Sequence, residues 1–227
     1  MKIASLTPKE WFSGQLVQIK PKLRGWLHLG ATPLSLAASI VLVCLAPTTA
    51  TKIGSAVYLA CSLILFGVSA TYHRFYWAPR WEVMWKRLDH SNIFLLIAGT
   101  YTPLTIALLS RSDATILLSV VWGGAIIGIF LNLFWPTAPR WLSTLVYVAL
   151  GWVAVWYLPQ LWAGGGPAIV WLIVAGGVLY TLGAVVYGAK KPDPSPTWFG
   201  FHEIFHAFTV AAWACHCIAV YLAVLGS

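Results

Sequence analysis

Acidic side chains are scarce in this chain: 227 residues contain six Asp and Glu, and charged residues of both signs make up 9%. An ordinary soluble domain is about 25% charged. With 59% of its residues hydrophobic, the chain has too little polar surface to cover a water-soluble fold of this size. Cysteine is sparse too, and the four present, Cys44, Cys61, Cys215 and Cys217, show no CxxC spacing. In Cys215-His216-Cys217 the two sulfurs point about 200° apart on a helix, which disfavours a shared metal. All four are read as small buried apolar residues. Long polar linkers are also missing, so nothing marks a second folded unit. The breaks fall in short stretches: Pro47-Thr48-Thr49, Pro136 with Pro139, Gly164-Gly165-Gly166-Pro167 and Pro192-Asp193-Pro194-Ser195-Pro196.

What the chain has in abundance is long apolar runs. A helix needs about 20 apolar residues to cross a bilayer, and seven runs qualify: 26–46, 53–72, 88–109, 114–134, 141–158, 168–187 and 201–225. The fold class expected is therefore all-α, an integral membrane bundle of seven transmembrane helices. The net charge of +8 is explained by where the charges lie, so no nucleic-acid partner is expected. Twelve basic residues fall on one side of the spans: Lys2, Lys9, Lys20, Lys22, Arg24, Arg74, Arg80, Lys86, Arg87, Arg140, Lys190 and Lys191. Only Lys52 and Arg111 fall on the other. The positive-inside rule then puts the N-terminus in the cytoplasm and the C-terminus outside, in a multi-pass protein of the cell's inner membrane.

The first run lacks a small-residue cleavage site and is read as a retained helix rather than a signal peptide. Residues 1–25 form a cytoplasmic segment in front of a transmembrane domain spanning 26–227. Within that segment, Thr7-Pro8-Lys9-Glu10 has the form of a capping box, followed by Phe12, Leu16 and Ile19 on one face, which predicts a short helix on the membrane surface. Trp77, Trp81 and Trp85 recur every four residues beside basic residues and read as a second interfacial anchor.

Ionisable groups inside a membrane are costly and mark functional sites. Ser69 and His73 lie four apart near the end of the second run, Asp89 and His90 open the third, and His202 and His206 lie four apart at the start of the seventh. Because alternate helices run in opposite directions, all of these fall at one membrane depth. If the three helices touch, His73, His202 and His206 supply three imidazoles, the ligand set of a catalytic zinc whose fourth position is left to water. Asp89 would then orient that water, accept its proton or hydrogen-bond a ligand histidine. Ser69 shares a face with His73. The lone histidines His28, His90 and His216 are read as interfacial residues. His202-Glu203-Ile204-Phe205-His206 also matches HExxH, in which the glutamate activates water. Here Glu203 can equally complement the positive N-terminus of a helix.

Taken as a set, Ser69-Ala-Thr-Tyr-His73, Leu88-Asp89-His90-Ser91, Ala98-Gly99-Thr100-Tyr101-Thr102-Pro103 and Phe201-His202-Glu203-Ile204-Phe205-His206 resemble the hemolysin III proteins, the bacterial branch of the progestin and adiponectin receptor family. The resemblance implies a seven-helix bundle with a zinc ion near the inner leaflet. By that likeness His73, His202 and His206 are the ligands, and Asp89 and Ser69 stand beside the water. The wider superfamily includes alkaline ceramidases, which points to a membrane metal-dependent hydrolase of a lipid amide or ester. Membrane lipids are the expected partners, and the oligomeric state is left open. The competing expectation is a non-enzymatic sensor or regulator of membrane lipids, receptor-like or hemolysin-like, in which zinc is structural.

Overall fold

The computed structural model describes residues 20–135 and 140–227. The surface helix expected around Thr7 to Ile19 lies outside the described residues, as do Pro136 and Pro139. Among the described residues the only β feature is an isolated bridge between Ser195 and Phe199. The helices are α1 Trp26–Leu45, α2 Thr49–Arg74, α3 Pro79–Leu108, α4 Arg111–Phe134, α5 Arg140–Gly151, α6 Leu158–Ala189 and α7 Phe201–Leu225, with a 3-10 segment Trp152–Tyr157 between α5 and α6.

Local chemistry explains where the helices start. Thr48 caps α2: its hydroxyl accepts from the Thr51 N–H at 3.1 Å, and the Thr51 hydroxyl accepts from the Thr48 N–H at 3.2 Å. This is a capping box with threonine in the returning position. Ser110 caps α4 by accepting from the Asp113 N–H. α3 starts nine residues before the hydropathy boundary at Leu88, with Pro79 in its first turn. Proline is preorganised for that position, and nothing between Arg80 and Arg87 interrupts a helix. Polarity ended the apolar run there, but it did not end the helix. The early start carries Trp81 and Trp85 on α3, with the Trp85 ring 4.8 Å from that of Trp77.

Six helical stretches among the described residues are long and apolar enough to cross a membrane, where the sequence suggested seven. The difference lies in Leu142–Ala189, a continuous stretch of 48 residues. As a straight α-helix it would measure about 72 Å, more than twice the roughly 30 Å hydrocarbon core. It is interrupted twice, by the 3-10 segment and by Gly166, whose φ of 75° and ψ of −179° are not helical. Near its two ends, Tyr147 donates to the His90 carbonyl and Tyr187 pairs with the His90 ring. Between them, a Cβ on Gly164 would run into the carbonyl oxygen of Leu108, the last residue of α3.

The packing inverts that of a soluble protein. On α1, Leu34 is 67% exposed while Ser35 and Ser39 are fully buried. Phe134, Trp156 and Trp171 are also largely exposed, as lipid-facing side chains are. Cys44 departs from expectation by lying on this outer face of α1, whereas Cys61 and Cys217 are buried. Inside, α1 packs on α2 and α7, α3 packs on α2, α4 and α7, and α6 packs on α7. Glycines stand at several of the close approaches. On α6, a side chain at Gly176 would overlap the His216 ring; on α4, one at Gly128 would overlap Phe94. Gly123, by contrast, faces open space.

Candidate metal centre

The end of α2, the stretch of α3 about three turns from its start and the start of α7 meet at one end of the bundle. His73 comes from α2, and His202 and His206 from α7, where a spacing of four puts both on one face. One ring nitrogen from each of the three lies within 4.8 Å of the other two, and all three residues are buried. His73 Nε2 and His202 Nε2 are 3.2 Å apart. Two nitrogens bound to one tetrahedral zinc at about 2.0–2.1 Å would be about 3.3 Å apart, so the pair is spaced as co-ligands are. His206 Nδ1 is buried with no hydrogen-bond partner. Three buried imidazoles with converging ring nitrogens suit a divalent metal of the zinc type.

The other residues singled out in the sequence gather around this group. Asp89, on α3, places Oδ2 at 3.6 Å from His73 Nε2 and 3.7 Å from His90 Nδ1. The buried Ser69 hydroxyl faces the Asp89 carboxylate from one turn back on α2. His90 is held at both nitrogens, by the Lys86 carbonyl at 2.7 Å and the Tyr187 hydroxyl at 3.0 Å.

Glu203, the middle residue of the HExxH match, faces elsewhere. It is 1% exposed; Oε1 is ion-paired with Arg24 Nε, and Oε2 accepts from the Gly200 N–H at 2.8 Å. Both oxygens are committed to holding the start of α7, the capping role, so Glu203 does not address the histidines.

Two lone histidines are placed differently from an interfacial reading. His28 is 3% exposed and stacks on His206, with ring centroids 3.8 Å apart and planes 12° from parallel. His216 lies 14 residues beyond His202, about 21 Å farther along α7, where it bonds the Ile173 carbonyl at 3.1 Å. Both sit in apolar runs, and an ionisable residue there is the signal that could have found them. His28 was obscured by its closeness to the start of the first run.

A cavity of about 120 Å³ adjoins this cluster through His202 and Asp89. Asp89, His90, Tyr187 and His202 line one end, and Trp152 and His216 line the other. Its walls expose mostly apolar surface, with Thr100, Thr144, Thr181, Thr209 and four tyrosines among the lining residues.

Residues 17–217 match the family described as Haemolysin-III related. The chain belongs to the haemolysin III family. It is 31% identical over 194 residues to Hemolysin-3 of Bacillus cereus, an alignment covering 83% of this chain and 85% of that one. It is also 31% identical over 179 residues to the Hemolysin-3 homolog of Bacillus subtilis (strain 168), covering 78% and 81% respectively. In this haemolysin III protein the three histidines and Asp89 all fall inside the matched span.

Proposed function

We propose that this haemolysin III protein is a membrane zinc hydrolase acting on a lipid amide or ester, with its site at the inner-leaflet end of a bundle of seven crossings. The observation that carries the reading is the group of three buried imidazoles, one of which, His202, lines an apolar cavity together with the Asp89 carboxylate. A seventh crossing is supported by the path of Leu142–Ala189, which contacts His90 near both ends and the end of α3 between them. An N-terminus in the cytoplasm is supported by the charges: Lys20 reaches the Phe75 carbonyl, Arg24 reaches Glu203, and Arg74 reaches the Arg24 carbonyl, all at the histidine end.

His73, His202 and His206 would hold the metal. When bound, zinc lowers the pKa of water toward about 7 and polarises a carbonyl. Asp89 takes the proton of the attacking water at Oδ2 and returns it to the leaving nitrogen or oxygen as the acyl bond breaks. Ser69, facing that carboxylate, fixes its orientation. The cavity takes the acyl chain from the bilayer and keeps bulk water away from the reacting carbonyl.

A lipid sensor with a structural zinc is the second reading. It is favoured by one distance, the 3.6 Å between Asp89 Oδ2 and His73 Nε2, because a structural zinc normally has four protein ligands. Metal analysis of the purified protein separates the two. We expect about one zinc per chain, lost in His73→Ala and His206→Ala and kept in Asp89→Ala, with release of fatty acid from a lipid amide or ester. Zinc that departs with Asp89 would favour the structural site. Histidine variants that keep their metal would sink both readings.

A further inference from the structure

α1 supplies no residue to the three-histidine group, yet its first turns touch two of the three histidines. Gly25, which precedes α1 with φ 79°, lies against α2 so closely that a Cβ there would be 2.8 Å from the Cβ of His73. One turn on, the His28 ring lies almost parallel on His206. Behind it the edge of Phe66 closes the stack, with centroids 5.2 Å apart at 73°, and Phe66 is backed in turn by Trp213 at 5.5 Å and 88°. His28 is thus gripped between a candidate ligand from α7 and a fully buried ring from α2.

Metal-binding histidines are usually aimed by a second hydrogen bond, the non-ligating ring N–H donating to a carboxylate or carbonyl. At His206, Nδ1 is buried without a hydrogen-bond partner. Both nitrogens of His28 are likewise buried and unpartnered, so what His28 presents to its neighbours is the face of its ring. We propose that His28 is a positioning residue for the metal centre: its stacked ring sets the plane of His206 and so aims the His206 nitrogen at the point shared with His73 and His202. The inference rests on the metal reading above. It adds that α1, which carries no ligand, is part of the metal site.

The test uses the full-length chain purified in detergent, as wild type, His28→Ala and His28→Phe. Zinc affinity is measured by competition with a chromophoric chelator, and coordination geometry from the visible spectrum of the cobalt-substituted protein. Loss of an outer-shell partner typically weakens metal binding about 10- to 100-fold. That loss is expected for His28→Ala, with zinc still reaching one per chain at saturation and the cobalt bands altered. His28→Phe, which keeps a flat ring on His206, is expected to restore both affinity and spectrum toward wild type. Wild-type affinity and spectrum in His28→Ala would overturn the proposal while leaving the metal site standing. A His28→Phe protein as impaired as His28→Ala would also overturn it, by assigning the role to the ring nitrogens. A wild type that takes up neither zinc nor cobalt would remove the metal reading and this inference together.

Discussion

Arg24 and Glu203 form an ion pair that ties the residue before Gly25 to the first turn of α7, with Arg24 20% and Glu203 1% exposed. Since the second oxygen of Glu203 accepts the Gly200 N–H, this carboxylate is a structural anchor within a sequence that reads as HExxH. Replacing it with Gln retains an acceptor for Gly200 but removes the charge opposite Arg24. Breaking a buried pair costs about 3–5 kcal/mol, and the partial exposure of Arg24 places the expected loss toward the lower end. Thermal unfolding of Glu203→Gln in detergent should fall accordingly, with zinc at saturation still one per chain and turnover retained. Loss of turnover without loss of stability would instead give Glu203 the water-activating role it has in metalloproteases.

In the proposed hydrolase Asp89 is the carboxylate that would transfer the proton, lying between His73 and His90 and facing Ser69. Asp89→Asn preserves its shape while removing its basicity. Zinc content should be unchanged and hydrolysis of the lipid substrate should drop about 10²- to 10⁴-fold, the usual contribution of a positioned general base. Fatty-acid release at the wild-type rate in Asp89→Asn would exclude it as the base.

The cavity wall offers a test that leaves the histidines alone. Gly177 lines the cavity, and a Cβ there would be in ordinary contact with Trp152 at 3.6 Å. Gly177→Leu would therefore push its branch into the space assigned to the acyl chain. Long-chain substrates should be hydrolysed more slowly than in wild type, short-chain ones much less affected, and zinc affinity unaltered. Equal effects on all chain lengths would argue that the chain lies elsewhere.

The sequence made some of this legible and hid the rest for identifiable reasons. Apolar runs located α7 at Phe201–Leu225, and the spacing of four in His202 and His206 placed both on one helix face. Common depth brought His73 and Asp89 to the same level. What hydropathy could not supply was lateral contact: that α1 lies beside α7, and that His28 reaches His206, depends on helix packing that no local pattern encodes. Nor does polarity define helix ends. The charged stretch from Arg80 to Arg87 stopped the apolar run but continues α3, while the break expected at Gly164-Gly165-Gly166-Pro167 does fall there, at Gly166. For Glu203 the motif was present and its partner, Arg24, was 179 residues away.

Gly25 and Gly30 give a paired test of how closely α1 is fitted to the site. Gly25 is at φ 79°, where an L side chain is strained, and its Cβ would press on His73, whereas a Cβ on Gly30 would meet nothing within 4 Å. Gly30 lies inside α1, so alanine there should stabilise the helix by up to about 1 kcal/mol and leave metal binding alone. Gly25→Ala combines backbone strain of about 1–3 kcal/mol with displacement of a candidate ligand. Unfolding temperature and zinc affinity should therefore both fall. Two alanines five residues apart on one chain segment should have opposite effects on stability, and only the first should alter zinc affinity. If Gly25→Ala lowered stability but left zinc affinity at the wild-type value, the contact with His73 would matter for packing alone, and the coupling of α1 to the metal centre would rest solely on His28.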